Sequence, residues 1–185
     1  MLVHACEYSG APDRLLMSNM APMTTSNSTY AAWRKLSGTT AGRALFSAAV
    51  CLRAPYFRTV LPYVRDLRPG RAEVSAPKWW GVHNHIGTFH AIAACNLAEA
   101  ALGMLAEATV PSTHRWIPKG MTVSYLAKAE TSLVAVAELA EPLDVGGAGH
   151  EGVEVPVPVT VTDRRGKAVV TATITIWVTP RRSQR

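Results

Sequence analysis

The clearest hydrophobic pattern in the chain is two-periodic and lies near its C-terminus. In Val170-Thr171-Ala172-Thr173-Ile174-Thr175-Ile176 apolar and polar positions alternate, which predicts a half-buried strand over 168–178. Similar runs predict strands over 121–126, 133–139 and 153–161, and a shorter one over 71–78. Asp163-Arg164-Arg165-Gly166 predicts the hairpin turn that joins the last two strands. Pro156 and Pro158 share one face of their strand, and neither has an N–H to donate, so one edge of that strand cannot pair normally there. After a loop over 79–87 the period changes. Residues 88–107 predict a long helix with Thr88 as its N-cap. Upstream, 29–36 and 40–52 predict two helices, divided near Gly38 and closed by Pro55. A third, short helical stretch is expected over 56–67, broken by Pro62, and Pro69-Gly70 is a strong stop.

One long helix set among five antiparallel strands has to bury itself against the sheet they form, so the fold class is α+β. The chain divides into a flexible lead (1–26), an N-terminal helical extension (27–68), the strand-rich domain (69–180) and a basic tail (181–185).

Composition narrows the class. Hydrophobic residues are 48% of the 185 and charged residues 17%, which excludes general disorder. The longest apolar run, 44–52, is nine positions and contains Ser47, far short of the ~18–20 needed for a membrane span, so no transmembrane segment is expected. Glu7, Asp13 and Arg14 interrupt the first thirty residues, unlike a secretory signal. Cys6, Cys51 and Cys95 form no CxxC pair, which points to a reducing, cytoplasmic setting. The net charge of +6 would suggest nucleic acid if it were spread over the molecule. It is not: residues 1–70 carry eight Lys/Arg against three Asp/Glu, residues 71–180 carry eight against ten, and the tail adds three arginines. No nucleic-acid partner is expected.

The long helix is the informative element. From Ala91 to Ala106 only Asn96 and Glu99 are polar. Such a helix is buried on most sides, by the sheet and by a second subunit. A carboxylate there is costly without a partner. Glu99 is either half of a structural ion pair or a general base held in a cleft. Ahead of the helix, His83-Asn84-His85-Ile86-Gly87-Thr88-Phe89-His90 places three histidines and an asparagine where free backbone N–H groups can stabilise an oxyanion. His83-x-His85 with His90 raises a metal reading, but no Asp, Glu or Cys stands nearby in a ligand spacing; neither metal nor cofactor is expected.

Asn84, His90 six residues on, and Leu97-Ala98-Glu99 ending fifteen residues after the asparagine resemble the hotdog-fold thioesterases of the phenylacetate-pathway (PaaI-like) type. The flanking NHIGT and the later PKGMTVSYLAKA (118–129) are more similar to a hotdog family described as a domain of unknown function. The resemblance spans about 66–180. It implies a hotdog domain, a helix wrapped by an antiparallel sheet, and hydrolysis of an acyl-coenzyme A or related thioester. It also implies catalytic roles for Asn84, His90 and Glu99, with the N–H of Ala91 as oxyanion donor. The resembling enzymes usually carry two glycines after the histidine, and this chain has Ala91-Ile92. Ala91 keeps the N–H; Ile92 adds a branched side chain beside the thioester. Ile92, Trp80 and Tyr125 are the candidate substrate-binding residues, and Arg115, Lys119 and Lys128 the candidates for coenzyme A phosphates. The resemblance further implies a homodimer or dimer of dimers in which Asn84 of one chain faces Glu99 of the other. Two other readings stand beside hydrolysis: a non-catalytic module that binds an acyl thioester or fatty acid, and a dehydratase. The latter needs an aspartate that the stretch between Asp66 and Asp144 does not supply.

Overall fold

A computed structural model describes residues 27–145 and 152–181; the expected lead and most of the basic tail lie outside the described residues. Helix α1 (Ser28–Leu36) is capped by the Asn27 side chain, and α2 (Thr40–Arg53) by Thr39, whose hydroxyl accepts from the Gly42 N–H at 3.0 Å. Pro55 opens a 3-10 helix (Pro55–Val60). Six strands follow: β1 (Tyr63–Arg68), β2 (Arg71–Ala76), β3 (His114–Tyr125), β4 (Leu133–Glu138), β5 (Val153–Asp163) and β6 (Ala168–Pro180). Helix α3 (Ala91–Thr109) falls between β2 and β3. All neighbours in the sheet are antiparallel, in the order β1-β2-β4-β5-β6-β3.

The sheet wraps α3. Small residues line the closest approach: Ala72, Val74 and Ala76 on β2 and Ala135 and Ala137 on β4 are buried, as are Ala94, Ala98, Ala101 and Ala108 on the helix. Leu97, Leu102, Leu105, Leu133, Ile174 and Ile176 fill the space between them. This is the hotdog arrangement. Helix α3 has the length and apolarity of a membrane span, but most of that apolar surface is taken up by protein here.

Two expectations need correction. Tyr63–Arg68 is a strand rather than the end of a helical stretch. It forms a hairpin with β2 through Pro69-Gly70, where Gly70 has a φ of +80°, a conformation natural to glycine. The N-cap of α3 is His90 rather than Thr88. The proline expectation holds: the pairing of β4 with β5 ends at Ala137 opposite Val159, so Pro156 and Pro158 lie where β5 is paired with β6 alone.

The upstream helices are part of the packing. Trp33 and Phe46 meet edge-to-face with ring centroids 5.2 Å apart, and both are buried with Val60 in the same core as α3. Ser47 Oγ accepts from the Val64 N–H at 2.9 Å, tying α2 to β1. A chain shortened to begin at Pro62 should therefore expose this apolar surface and aggregate on size-exclusion chromatography. A monodisperse, cooperatively melting short chain would show that the helices are dispensable to the core.

Candidate functional site

The stretch before α3 is built by one asparagine. Asn84 Oδ1 accepts from the N–H groups of Ile86 (3.1 Å) and Thr88 (3.0 Å), and its Nδ2 donates to Thr88 Oγ1 at 2.8 Å. This is an Asx-type turn, and it holds Thr88 in the loop ahead of the helix. The chain then delivers His90, whose N–H donates to the Val82 carbonyl at 2.7 Å and whose Nδ1 accepts from the Ile92 N–H at 3.1 Å. That bond fixes the imidazole tautomer, with Nδ1 as acceptor and the proton on Nε2. The Ala91 N–H has no acceptor among the described residues, and Ala91 is exposed. A free amide at the positive end of a nineteen-residue helix is what an oxyanion needs.

Glu99 lies further along the same helix and lines a cleft of about 260 Å³ with Phe57, Gly103, Met104, Trp116 and Glu107. The two carboxylates differ. Glu107 accepts from Thr29 Oγ1 at 2.7 Å and from Trp116 Nε1 at 3.2 Å, so it ties α1 to β3 through α3. Glu99 has no hydrogen bond or ion pair among the described residues, which removes the structural ion-pair alternative within one chain. Ala91 and Glu99 are eight residues apart, about 12 Å at a rise of about 1.5 Å per residue. Along one helix that rise sets the free amide and the free carboxylate on different turns.

A second cleft, of about 230 Å³, lies beside the first turn of α3, between Tyr56 and Thr59 on one side and His83, His90, Ile92 and Asn96 on the other. Ile92 thus faces a cleft. Trp80 and Tyr125 line neither; Trp80 is exposed and stacks edge-to-face on Trp79. The Tyr125 hydroxyl lies 3.2 Å from Cys95 Sγ, and this hydrogen bond, with burial second, pushes the phenol above its ordinary pKa. Arg115 bonds Thr179, and Lys119 pairs with Glu154 over the Trp177 ring. Among the described residues no three of His, Cys, Asp or Glu are grouped to hold a metal ion. Thr59 and Glu107 are site residues that the sequence pattern did not bring forward, and Asn96 stood out as polar without being given a role. The available signal was that Asn96 and Glu99, three apart, share a helix face.

The placement of α3 against β3 bears on how two chains could combine. β3 is an edge strand of twelve residues. Its Trp116 end lies against Gly103 and Glu107, and its Tyr125 end against Cys95. Helix and strand therefore run antiparallel. Antiparallel pairing of β3 with its own copy would bring the Tyr125 end, and with it the first turn of α3, to the partner's Trp116 end and Glu99 cleft.

A family described as Domain of unknown function (DUF4442) matches residues 42–178. The structural-genomics protein APC5556 is 40% identical, with 83% of this chain and 98% of that chain covered and a TM-score of 0.70. A protein of Pseudomonas aeruginosa named "Probable Thioesterase" is 22% identical over 71% of this chain and 91% of that one, with a TM-score of 0.63. A thioesterase family protein from Silicibacter pomeroyi is 22% identical over 73% and 96%, with a TM-score of 0.61. No functionally curated protein matches the chain.

Proposed function

The chain belongs to the DUF4442 family, and we propose that it hydrolyses an acyl-coenzyme A or a related acyl thioester in a site shared by two copies of the chain. The observation that carries this reading is that one helix bears both an unengaged amide at Ala91 and an unengaged carboxylate at Glu99, about 12 Å apart, which an antiparallel pair of chains would bring together. Structural similarity to proteins named as thioesterases supports the reaction class.

In this reading the thioester carbonyl points at the Ala91 N–H and the helix dipole. Glu99 of the other chain takes a proton from water as the water attacks the carbonyl carbon, or attacks directly as nucleophile. The tetrahedral oxyanion collapses with loss of the thiolate, a good leaving group, so no strong acid is required; on the nucleophilic route this leaves an anhydride on Glu99, which water then hydrolyses to release the acid and free the carboxylate. His90 sets the first turn through Ile92 and leaves the Ala91 N–H free. Asn84 holds the loop and keeps one Nδ2 hydrogen to donate to water or carbonyl. Ile92 borders the path beside the reacting carbon.

The test is a hydrolysis panel of acyl-coenzyme A substrates, short, long and aromatic, on the full chain. Turnover of one class well above the others is the expected result. Tight binding with no turnover across the panel would replace hydrolysis with the non-catalytic binding reading, which Ile92 in place of a glycine favours.

A further inference from the structure

Asn96 is the anomaly of the second cleft. It is only 6% exposed, and its Nδ2 donates to Thr59 Oγ1 at 2.9 Å. Its Oδ1 is buried and has no donor among the described residues. The orientation of the amide follows from its neighbour. Thr59 spends its single hydroxyl proton on the Tyr56 carbonyl at 2.9 Å, so its oxygen can only accept, and the nitrogen of Asn96 must face it. The carbonyl end is left over, in a residue that lines the cleft. A buried acceptor without a donor is destabilising, and α3 is otherwise filled here by alanine and leucine, which would avoid that cost.

We propose that Asn96 Oδ1 receives an N–H or O–H of the bound thioester, which makes this cleft a polar subsite selecting ligands that carry such a donor. The proposal rests on the thioester reading above and adds a specificity-determining residue to it. Asn96 lies five residues beyond Ala91, about 7.5 Å along the helix axis. That separation suits a donor a few bonds from the thioester carbonyl. Either half of the ligand can supply it: a hydroxyl on the acyl chain, or an amide N–H on the thiol arm. A plain alkyl thioester with an ester-linked arm offers neither and leaves Oδ1 orphaned.

Two pairs of non-hydrolysable thioethers test this by titration against the full chain. The first is S-(3-hydroxybutyl)- against S-butyl-coenzyme A. The second is S-butyl N-acetylcysteamine against its analogue with the amide N–H replaced by an ester oxygen. In at least one pair the wild type should prefer the donor-bearing member by about 5–10-fold, the worth of one buried hydrogen bond. Asn96→Leu and Asn96→Ala should abolish that preference by weakening only the donor-bearing member, and Asn96→Leu should melt no lower than the wild type. Loss in the first pair assigns the acyl chain, and loss in the second assigns the thiol arm. Equal affinities within both pairs, no binding at all, or a preference that survives both substitutions would overturn the subsite and leave water as the partner of Oδ1. Turnover of the parent thioesters, measured alongside, separates the two claims. A preference without turnover removes the hydrolase reading alone, and turnover without a preference removes the subsite alone.

Discussion

Glu99→Gln should lower thioester turnover by about 10²–10⁴-fold while the protein stays folded. Glutamine keeps the shape and the hydrogen-bonding reach of the side chain and removes its capacity to take a proton or to attack. No ion pair is broken, because none engages Glu99 among the described residues, and a partly buried charge is relieved. The melting temperature should therefore stay level or rise. KM should change little if the carboxylate acts mainly in the transition state. The neighbouring Glu107 supplies the contrast. Glu107→Gln disturbs bonds to Thr29 and Trp116, so it should affect stability more than rate. Near-normal turnover of Glu99→Gln would sink the assignment of Glu99.

Ala91→Pro should cost about 10²–10³-fold in kcat, the usual effect of removing one oxyanion donor. Proline deletes the N–H and nothing else of use to the fold. Ala91 is the first residue of α3, where proline is well tolerated because that N–H has no intrahelical partner. The residue ahead of it is equally permissive: His90 has φ −64° and ψ 136°, the extended conformation that precedes proline most readily. Ala91→Gly, which keeps the N–H, should retain activity. A proline variant that folds and turns over normally would show that the Ala91 amide does not face the reacting carbonyl.

The long helix, the last three strands and the hairpin at 163–166 were legible because local signals agreed there with the tertiary structure. Of β3, which begins at His114, only the second half was legible, since Pro118 and the irregularity before Gly120 interrupt the alternation. Strand β1 was not, for a reason that can be named. Its buried residues are Val64 and Leu67, three apart, because a bulge between Val64 and Asp66 adds a residue to the strand. That spacing imitates a helix, so the stretch reads as helical even though Pro62 just ahead marks a break. The N-cap was misplaced because Phe89 and His90, just past Thr88, are held extended by their bonds to the Ala129 and Val82 carbonyls, contacts that local sequence does not show. Glu99 stood out as a carboxylate in an apolar helix. Asn96 stood out equally but could not be weighed, since its partner Thr59 is 37 residues away on a 3-10 helix that closes over α3. Whether a polar residue in such a helix is satisfied depends on contacts of that range.

The central claim is that the amide of one chain and the carboxylate of another form one site. Subunit mixing tests it most directly. Ala91→Pro and Glu99→Gln homodimers should each be nearly inactive. In a mixed dimer one site carries both lesions and the other carries neither. Random reassortment of equal amounts makes half the dimers mixed, so about one quarter of wild-type activity should return on co-refolding. If Ala91 and Glu99 of the same chain served each site, every site in every dimer would stay damaged. No recovery after subunit exchange has been verified, with an active wild type as control, would contradict the shared site.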